Sequence, residues 1–377
     1  MVRIGIVAGE ASGDLLGSHL IQALKQKRSD IEFVGIAGPK MISEGAKSLY
    51  PIERLSVRGY LEVIKHLWGL LKLRRELLNH FLSNPPDLFI GIDAPDFNFW
   101  LERKLKNKGV KTIHYVSPSI WAWRKNRINK IKKAVNQVLA LFPFEPALYK
   151  EKGVPVAYVG HPLADMLPIE PDVAGAREIL KLDASALIVA MLPGSRQSEV
   201  QQHADLFVQT AKQIYAQQPN AIFLVPLITR ETRRIFELAI FNEPEALPIQ
   251  LLFGHAHDAM EASNVVIVAS GTATLEAALL KKPMVITYRM SNLSWQLLKR
   301  MRLQPYVGLP NILAEKFVVP ELLQDDATVE KIAQATLELV NDKEKLATIK
   351  SEFTDIHYQL KQNTAEKAAI AVLSHLK

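Results

Sequence analysis

The chain has 377 residues, 48% of them hydrophobic and 23% charged, and no cysteine. That length exceeds one ordinary core and points to two domains, the composition excludes a disordered or fibrous chain, and the missing thiols exclude disulfides, thiolate metal sites and cysteine nucleophiles. A formal net charge of +7 fits an acidic partner: nucleic acid, an anionic membrane surface or a phosphorylated substrate.

The first residues, MVRIGIVAGEASGD, run from a strand pattern into a glycine loop, without the apolar segment and cleavage site of a signal peptide. No apolar run reaches the roughly 18–20 residues that a spanning helix needs. The expectation is a cytoplasmic protein with at most a peripheral membrane role. Apolar, β-branched runs at 3–9, 32–38, 87–93, 111–117, 137–143 and 156–161 read as buried parallel strands, with helical patterns such as GDLLGSHLIQALKQK and LERKLKNKG between them. The rhythm restarts after the proline-rich stretch LPIEPDVAG at 167–175, with strand patterns at 187–194, 221–228, 249–254, 265–271 and 284–289. After about 328 the pattern is helical. Alternating strands and helices predict an α/β fold of two similar halves, each a parallel sheet wrapped by helices, with a cleft between them.

In such sheets ligands bind outside the carboxyl ends of the strands. The first strand is followed by AGEASGDLLG, where Gly9, Ser12, Gly13 and Asp14 sit at a strand-to-helix turn. Glycines admit a close backbone approach and a helix start favours an anion, but Ser12 or Asp14 can equally be a plain helix cap. The spacing is not GxGxxG, so no dinucleotide fingerprint is present. The run LFIGIDAPDFNFW ends a buried strand in two acids, Asp93 and Asp96. Asp93 is the candidate general base. Asp96 is the rival base, but it follows Pro95 and suits a helix start. His114, on the neighbouring strand, can orient Asp93 or share its role, or it can be a satisfied core histidine.

Residues 57–81 are apolar at helical spacing, with Lys65, Trp68, Lys72 and Arg75 on one face. A cationic face with a tryptophan suits an anionic membrane interface, and it also suits an ordinary surface helix. The stretch SPSIWAWRKNRINKIKK adds Trp121, Trp123, Arg124, Lys125 and Arg127 as contacts for lipid or phosphate; base stacking is the nucleic-acid alternative, and a glycine-loop α/β architecture favours the small ligand. In the second half, LPGSRQSEV offers Arg196 as a diphosphate clamp, because a guanidinium can bind phosphate through two nitrogens; the alternative is a solvated arginine. ASGTATLE places Ser270, Gly271 and Thr272 where backbone N–H groups can hold phosphate, with Glu276 one turn later where it can face a ribose, or the stretch is a plain helix cap with an exposed first-turn glutamate. The histidines of GHAHDAM have metal-like spacing but no convergent partners, so a loop near the nucleotide base is the better reading than a metal site.

Together GEASGD, VGIAGPKM, GIDAPDFN, HYVSPSIWAW, LFPFEP, GHPLAD, LPGSRQSEV, ASGTATLE, VITYRM and YVGLPNIL resemble the lipid A disaccharide synthases over nearly the whole chain. One departure is Gly308, where that family usually carries serine. The resemblance implies a GT-B fold of two Rossmann-like domains. It implies an inverting transfer of 2,3-diacylglucosamine from UDP-2,3-diacylglucosamine to 2,3-diacylglucosamine 1-phosphate, without metal or other cofactor and without nucleic acid. The product is a β-1,6-linked disaccharide. It further implies peripheral association with the inner membrane of a Gram-negative cell and a homodimer with exchanged C-terminal segments. The donor-site role falls on Arg196, Ser270, Gly271, Thr272, Glu276 and Asn311, and the base on Asp93; on the acceptor side the first glycine loop is the candidate, with Arg124, Lys125 and Arg127 as candidate phosphate contacts. The expected domains are 1–167, completed by helices from about 350 to 377, and 168–349. A different UDP-sugar enzyme of the same fold, such as an epimerase or a lipid-linked transferase, and a non-catalytic nucleotide-binding scaffold are the alternatives.

Overall fold

The computed structural model describes residues 1–55, 60–121, 127–269, 271–291, 295–296 and 303–376, with the backbone alone for 60–67. The chain divides into two units, Met1–Asp165 with Leu360–Lys377, and Met166–Gln359.

The first unit holds β1 (Val2–Ala8), β2 (Ile31–Ala37), β3 (Lys47–Pro51), β4 (Leu88–Ile92), β5 (Lys111–Tyr115), β6 (Gln137–Ala140) and β7 (Val156–Tyr158). They form one sheet in the order β3-β2-β1-β4-β5-β6-β7. Every pair is parallel. The second unit holds β8 (Leu187–Leu192), β9 (Ala221–Leu227), β10 (Ile249–Phe253), β11 (Val265–Ala269), β12 (Met284–Tyr288) and β13 (Glu321–Leu323). Their order, β10-β9-β8-β11-β12-β13, repeats the first plan and is again parallel throughout. Strand order reverses between β1 and β4 in one sheet and between β8 and β11 in the other. Loops leaving these strands splay apart there and open the crevice in which doubly wound sheets bind ligands.

The central strands are apolar because helices cover both faces: β4, β8 and β11 are buried at every residue, whereas the edge strands β3, β7 and β10 are only partly covered. The first core packs Ile4, Ile6, Phe33, Phe89 and Ile90 against Leu20 and Leu24 of the helix Ala11–Lys27, and it also takes in Ala368, Ala369 and Val372 from the far end of the chain. The returning segment starts at Leu360, later than the expected 350, because the helix Lys343–Leu360 belongs almost wholly to the second unit.

In the helix Tyr60–Ser83, Leu73, Leu77 and Phe81 face the core while Trp68 is 81% exposed. Lys72 and Arg75 are exposed on the same side as Trp68. The side chain of Lys65 lies outside the described residues. Among the described residues no helix is long and apolar enough to cross a membrane.

Candidate active site

At the switch point of the first sheet the loops after β1 and β4 touch. A Cβ added to Gly9 would lie 2.5 Å from the Cβ of Ala94, so only glycine allows this approach. The helix Ala11–Lys27 starts at Glu10 without a side-chain cap. Ser12 is exposed and Gly13 buried at its first turn. Asp14 does neither of the things expected of it. Its Oδ2 and Oδ1 accept from the N–H groups of Lys40 and Met41, each at 3.0 Å, so it caps the helix Pro39–Ser43 of the next β-α unit. With both oxygens engaged and only 4% exposure, it is a structural residue rather than an acceptor-side group.

Asp93 follows β4 directly. Its φ of 51° and the 42° of Ala94 are left-handed, a conformation that costs a non-glycine residue on the order of 1–3 kcal/mol. Two bonds hold it there: Asp93 N–H donates to Tyr115 O at 2.9 Å, and Asn98 Nδ2 donates to Asp93 O at 2.8 Å. The Asp93 carboxylate is half-buried and makes no hydrogen bond or ion pair among the described residues. Asp96, by contrast, lies in the first turn of the helix Pro95–Lys106, is 88% exposed and pairs with Arg127.

His114 is not the partner of Asp93. It lies within β5 with no exposed surface, and its Nδ1 meets Glu102 Oε1 at 2.7 Å beneath the helix Pro95–Lys106. Phe99 covers the ring at 4.3 Å between centroids. Burial pushes the Glu102 carboxyl above its ordinary range, with His114 opposing. The pair therefore belongs to the interior, and it is Asn98 rather than His114 that bonds to Asp93, at its backbone oxygen. Arg124, with Trp123 and Lys125, lies outside the described residues. Trp121 meets Phe144 and Phe142 edge-on at 5.4 and 6.4 Å, and Phe142 stacks on His161, so half-buried aromatics line the carboxyl edge of β5, β6 and β7.

In the second unit Arg196 is the N-cap of the helix Gln197–Gln217, and its side chain is 79% exposed. Its Nη1 donates to Glu199 Oε1 at 3.0 Å. Glu199 Oε2 also accepts from Ser195 N–H and Arg196 N–H at 3.0 and 3.2 Å. These amides are therefore taken by the cap, and what the loop offers a diphosphate is the guanidinium. Ser270 lies outside the described residues. Gly271 and Thr272 are exposed, and nothing lies within 4 Å of the place a Gly271 Cβ would occupy. Glu276, one turn on, is 26% exposed and 3.4 Å from His257 Nδ1. Among the described residues no group of three or more His, Cys, Asp or Glu is placed to hold a metal ion.

Asn311 departs from expectation. It is fully buried, its Nδ2 donates to Val319 O and Glu321 Oε1, and its Oδ1 accepts from Val318 and Val319 N–H. An amide has two donors and two acceptor sites, and all are spent inside the unit, so Asn311 shapes the loop and presents nothing to a donor. Glu321 also accepts from the N–H groups of Val307 and Gly308.

A family model for lipid-A-disaccharide synthetase matches residues 4–374. The chain belongs to the lipid-A-disaccharide synthase family. It is 67% identical to the lipid-A-disaccharide synthase of Methylobacillus flagellatus over 378 residues, covering 100% of both chains. It is 58% identical to that of Dechloromonas aromatica, covering 100% of this chain and 99% of the relative. Among solved structures, the UDP-GlcNAc 2-epimerase of Neisseria meningitidis bound to UDP-GlcNAc superposes with a TM-score of 0.65 at 12% identity, covering 100% of this chain and 99% of that one. That likeness shows the GT-B fold alone, and it agrees with the two doubly wound sheets.

Within this family frame, two residues that hold the site went unnoticed in the sequence. Asn98 was hidden in GIDAPDFN behind the two acids. The signal was present: Asn98 and Glu102 are polar at a one-turn spacing on the inner face of an otherwise apolar helix, and both are buried. His203 joins two loops. Its Nδ1 donates to Glu199 O at 2.8 Å and to Pro193 O at 3.1 Å, while its Nε2 accepts from Arg289 N–H at 3.0 Å. Burial lowers its pKa, which keeps the neutral ring these bonds require.

Proposed function

We propose that the chain transfers 2,3-diacylglucosamine from its UDP conjugate to O6 of 2,3-diacylglucosamine 1-phosphate. The observation that carries the chemistry is the state of the acids around the β4 loop. Asp14, Asp96 and Glu102 are each engaged by protein groups, whereas the half-buried Asp93 carboxylate has no partner among the described residues and is mounted on strained backbone at the switch point. An α-linked donor and a β-linked product require inversion, so one displacement suffices. The acceptor O6 bonds to C1 of the donor sugar, Asp93 takes the O6 proton, and the bond from C1 to the diphosphate oxygen breaks. UDP leaves as an anion. The exposed Arg196 guanidinium supplies positive charge to the diphosphate, Gly271 and Thr272 supply open backbone, and Glu276 faces the ribose. The half-buried Trp121, Phe142 and Phe144 offer an apolar surface to the acylated acceptor, on the same sheet edge as Asp93.

The exposed Trp68, Lys72 and Arg75 support peripheral binding to the cytoplasmic face of an anionic inner membrane. The segment Leu360–Lys377 docks on the first unit as a discrete piece. A second copy can supply the same piece, which is the basis for a homodimer by C-terminal exchange. The experiment that tests the activity is incubation with both substrates and mass detection of UDP and disaccharide. Asp93→Asn is expected to abolish turnover while UDP affinity by calorimetry stays near normal; full turnover in that variant removes Asp93 from the mechanism. Arg196→Ala is expected to weaken UDP binding, and unchanged calorimetric affinity would count against the clamp.

A further inference from the structure

His257 is the second residue of the helix Ala256–Ala262, which follows β10. Both of its ring nitrogens meet carboxylates. Nδ1 lies 3.4 Å from Glu276 Oε1, and Nε2 lies 3.4 Å from Glu261 Oε2. Glu276 comes from the helix Ala273–Leu279, which starts at the open Gly271–Thr272 loop, so the imidazole ties that loop's acid to the helix beside it. Glu261 is held from behind, because its Oε1 accepts from Asp172 N–H at 2.7 Å. Each ring nitrogen can donate to its carboxylate only if both carry protons.

We propose that His257, in its protonated form, is a positioning residue for donor binding: it fixes the Glu276 carboxylate toward the ribose and offsets that carboxylate's charge beside the diphosphate. The proposal rests on the reading of Gly271, Thr272 and Glu276 as the donor site. A carboxylate placed to accept from ribose hydroxyls also stands near an anionic diphosphate, and that repulsion weakens binding unless a cation accompanies it. Arg196 is drawn to Glu199; among the described residues the cation that meets Glu276 is His257.

The electrostatics agree. Glu276 first, then Glu261 and Asp258, raise the His257 pKa above its ordinary value, against partial burial. Asp258 is itself engaged by His255 Nδ1 at 2.7 Å. From the elements packed on this helix, Arg177 is bonded to Ala262 O and Asn264 Oδ1, and Lys282 to Ser263 O, all at its C-terminal end. Strands β8 and β9 bring no charged residue. Because the pKa is raised, the positive charge is fully present on the acid side and is lost as pH rises through that pKa. The donor diphosphate is a diester and does not titrate in this range.

The test is the KM for UDP-2,3-diacylglucosamine against pH, with saturating acceptor and the full chain. The wild type is expected to show a KM that rises about two- to fivefold across the His257 titration, the range of a partly exposed ion pair. His257→Gln should hold KM at the high value at every pH, and His257→Lys at the low value, with kcat little changed in both. A purely structural histidine predicts that both variants fail alike. Glu276→Ala should raise KM throughout. If it does while the wild-type profile is flat, or while Gln and Lys behave alike, the role of His257 is overturned and the donor site stands. If Glu276→Ala leaves KM unchanged, the donor-site reading fails and the inference falls with it.

Discussion

Glu145 is a buried carboxyl whose Oε2 accepts from the N–H groups of Leu141 and Phe142 at 3.1 and 3.0 Å. It ties down the loop after β6 that carries Phe142 and Phe144. Burial pushes its pKa up to about 7, only partly opposed by those two amides and by Ser117 and Trp121. The unfolded chain releases this proton near the ordinary glutamate value of 4.5, so between that pH and about 7 the folded state holds more protons than the unfolded one. Stability therefore falls as pH rises across this window. Glu145→Gln is expected to flatten that slope, read as urea midpoints from pH 4 to 8, and an unchanged slope would place the titration elsewhere. Asp93 shows how much of a single residue's place could be read ahead: the end of an apolar run marks a strand's exit, and Asp93 follows β4 directly. Asp14 and Asn311 were opaque for one shared reason: their partners, Lys40 and Met41 in one case and Val318, Val319 and Glu321 in the other, are set by tertiary contact and leave no local spacing to detect.

At the scale of elements, the helix Thr364–Leu373 has no cap of its own, since Asn363 stands at its start in a left-handed conformation without a side-chain bond. The cap comes from Asp165, whose Oδ1 and Oδ2 accept from Asn363 and Thr364 N–H at 3.0 and 2.6 Å. Nearby, His161 N–H donates to Leu360 O at 2.9 Å. Gly160 has a φ of 89°, and an added Cβ there would lie 2.7 Å from Leu360 O. The motif GHPLAD is thus the seat of the returning segment. Asp165→Ala is expected to cost about 0.5–2 kcal/mol, as other lost caps do, and to speed amide exchange in 364–373. Unaltered exchange there would show that the cap contributes nothing. The eleven strands expected from apolar runs all formed, whereas β3 and β13 escaped notice because KSLYP and ELL are short edge strands, half exposed and without a continuous apolar run. Apolar runs announce a strand through hydrophobicity, at an edge as in β7 and β10 too; β3 and β13 lack that run and take their form from the strand beside them.

For the whole molecule, the two sheets share an order that no sequence repeat betrays, since sheet topology constrains where apolar runs fall but not which residues fill them. The first unit is discontinuous: Ala368, Ala369 and Val372 fill the core beside the helix Ala11–Lys27, and Lys27 pairs with Glu366 at 2.9 Å. Removing residues 360–377 is expected to expose that helix and make the first unit the protease-sensitive one, while 166–359 survives as a resistant fragment; equal resistance of both units would contradict the arrangement. The same discontinuity bears on biosynthesis. Residues 1–165 leave the ribosome on the order of 10–40 s before the last helix does, at translation rates of roughly 5–20 residues per second. During that interval the apolar flank of the helix Ala11–Lys27 has no covering partner within its own nascent chain, while every residue of the second unit emerges sooner than the piece the first unit awaits. The usual vectorial order is thereby reversed: the unit synthesised first is the last to receive all of its core.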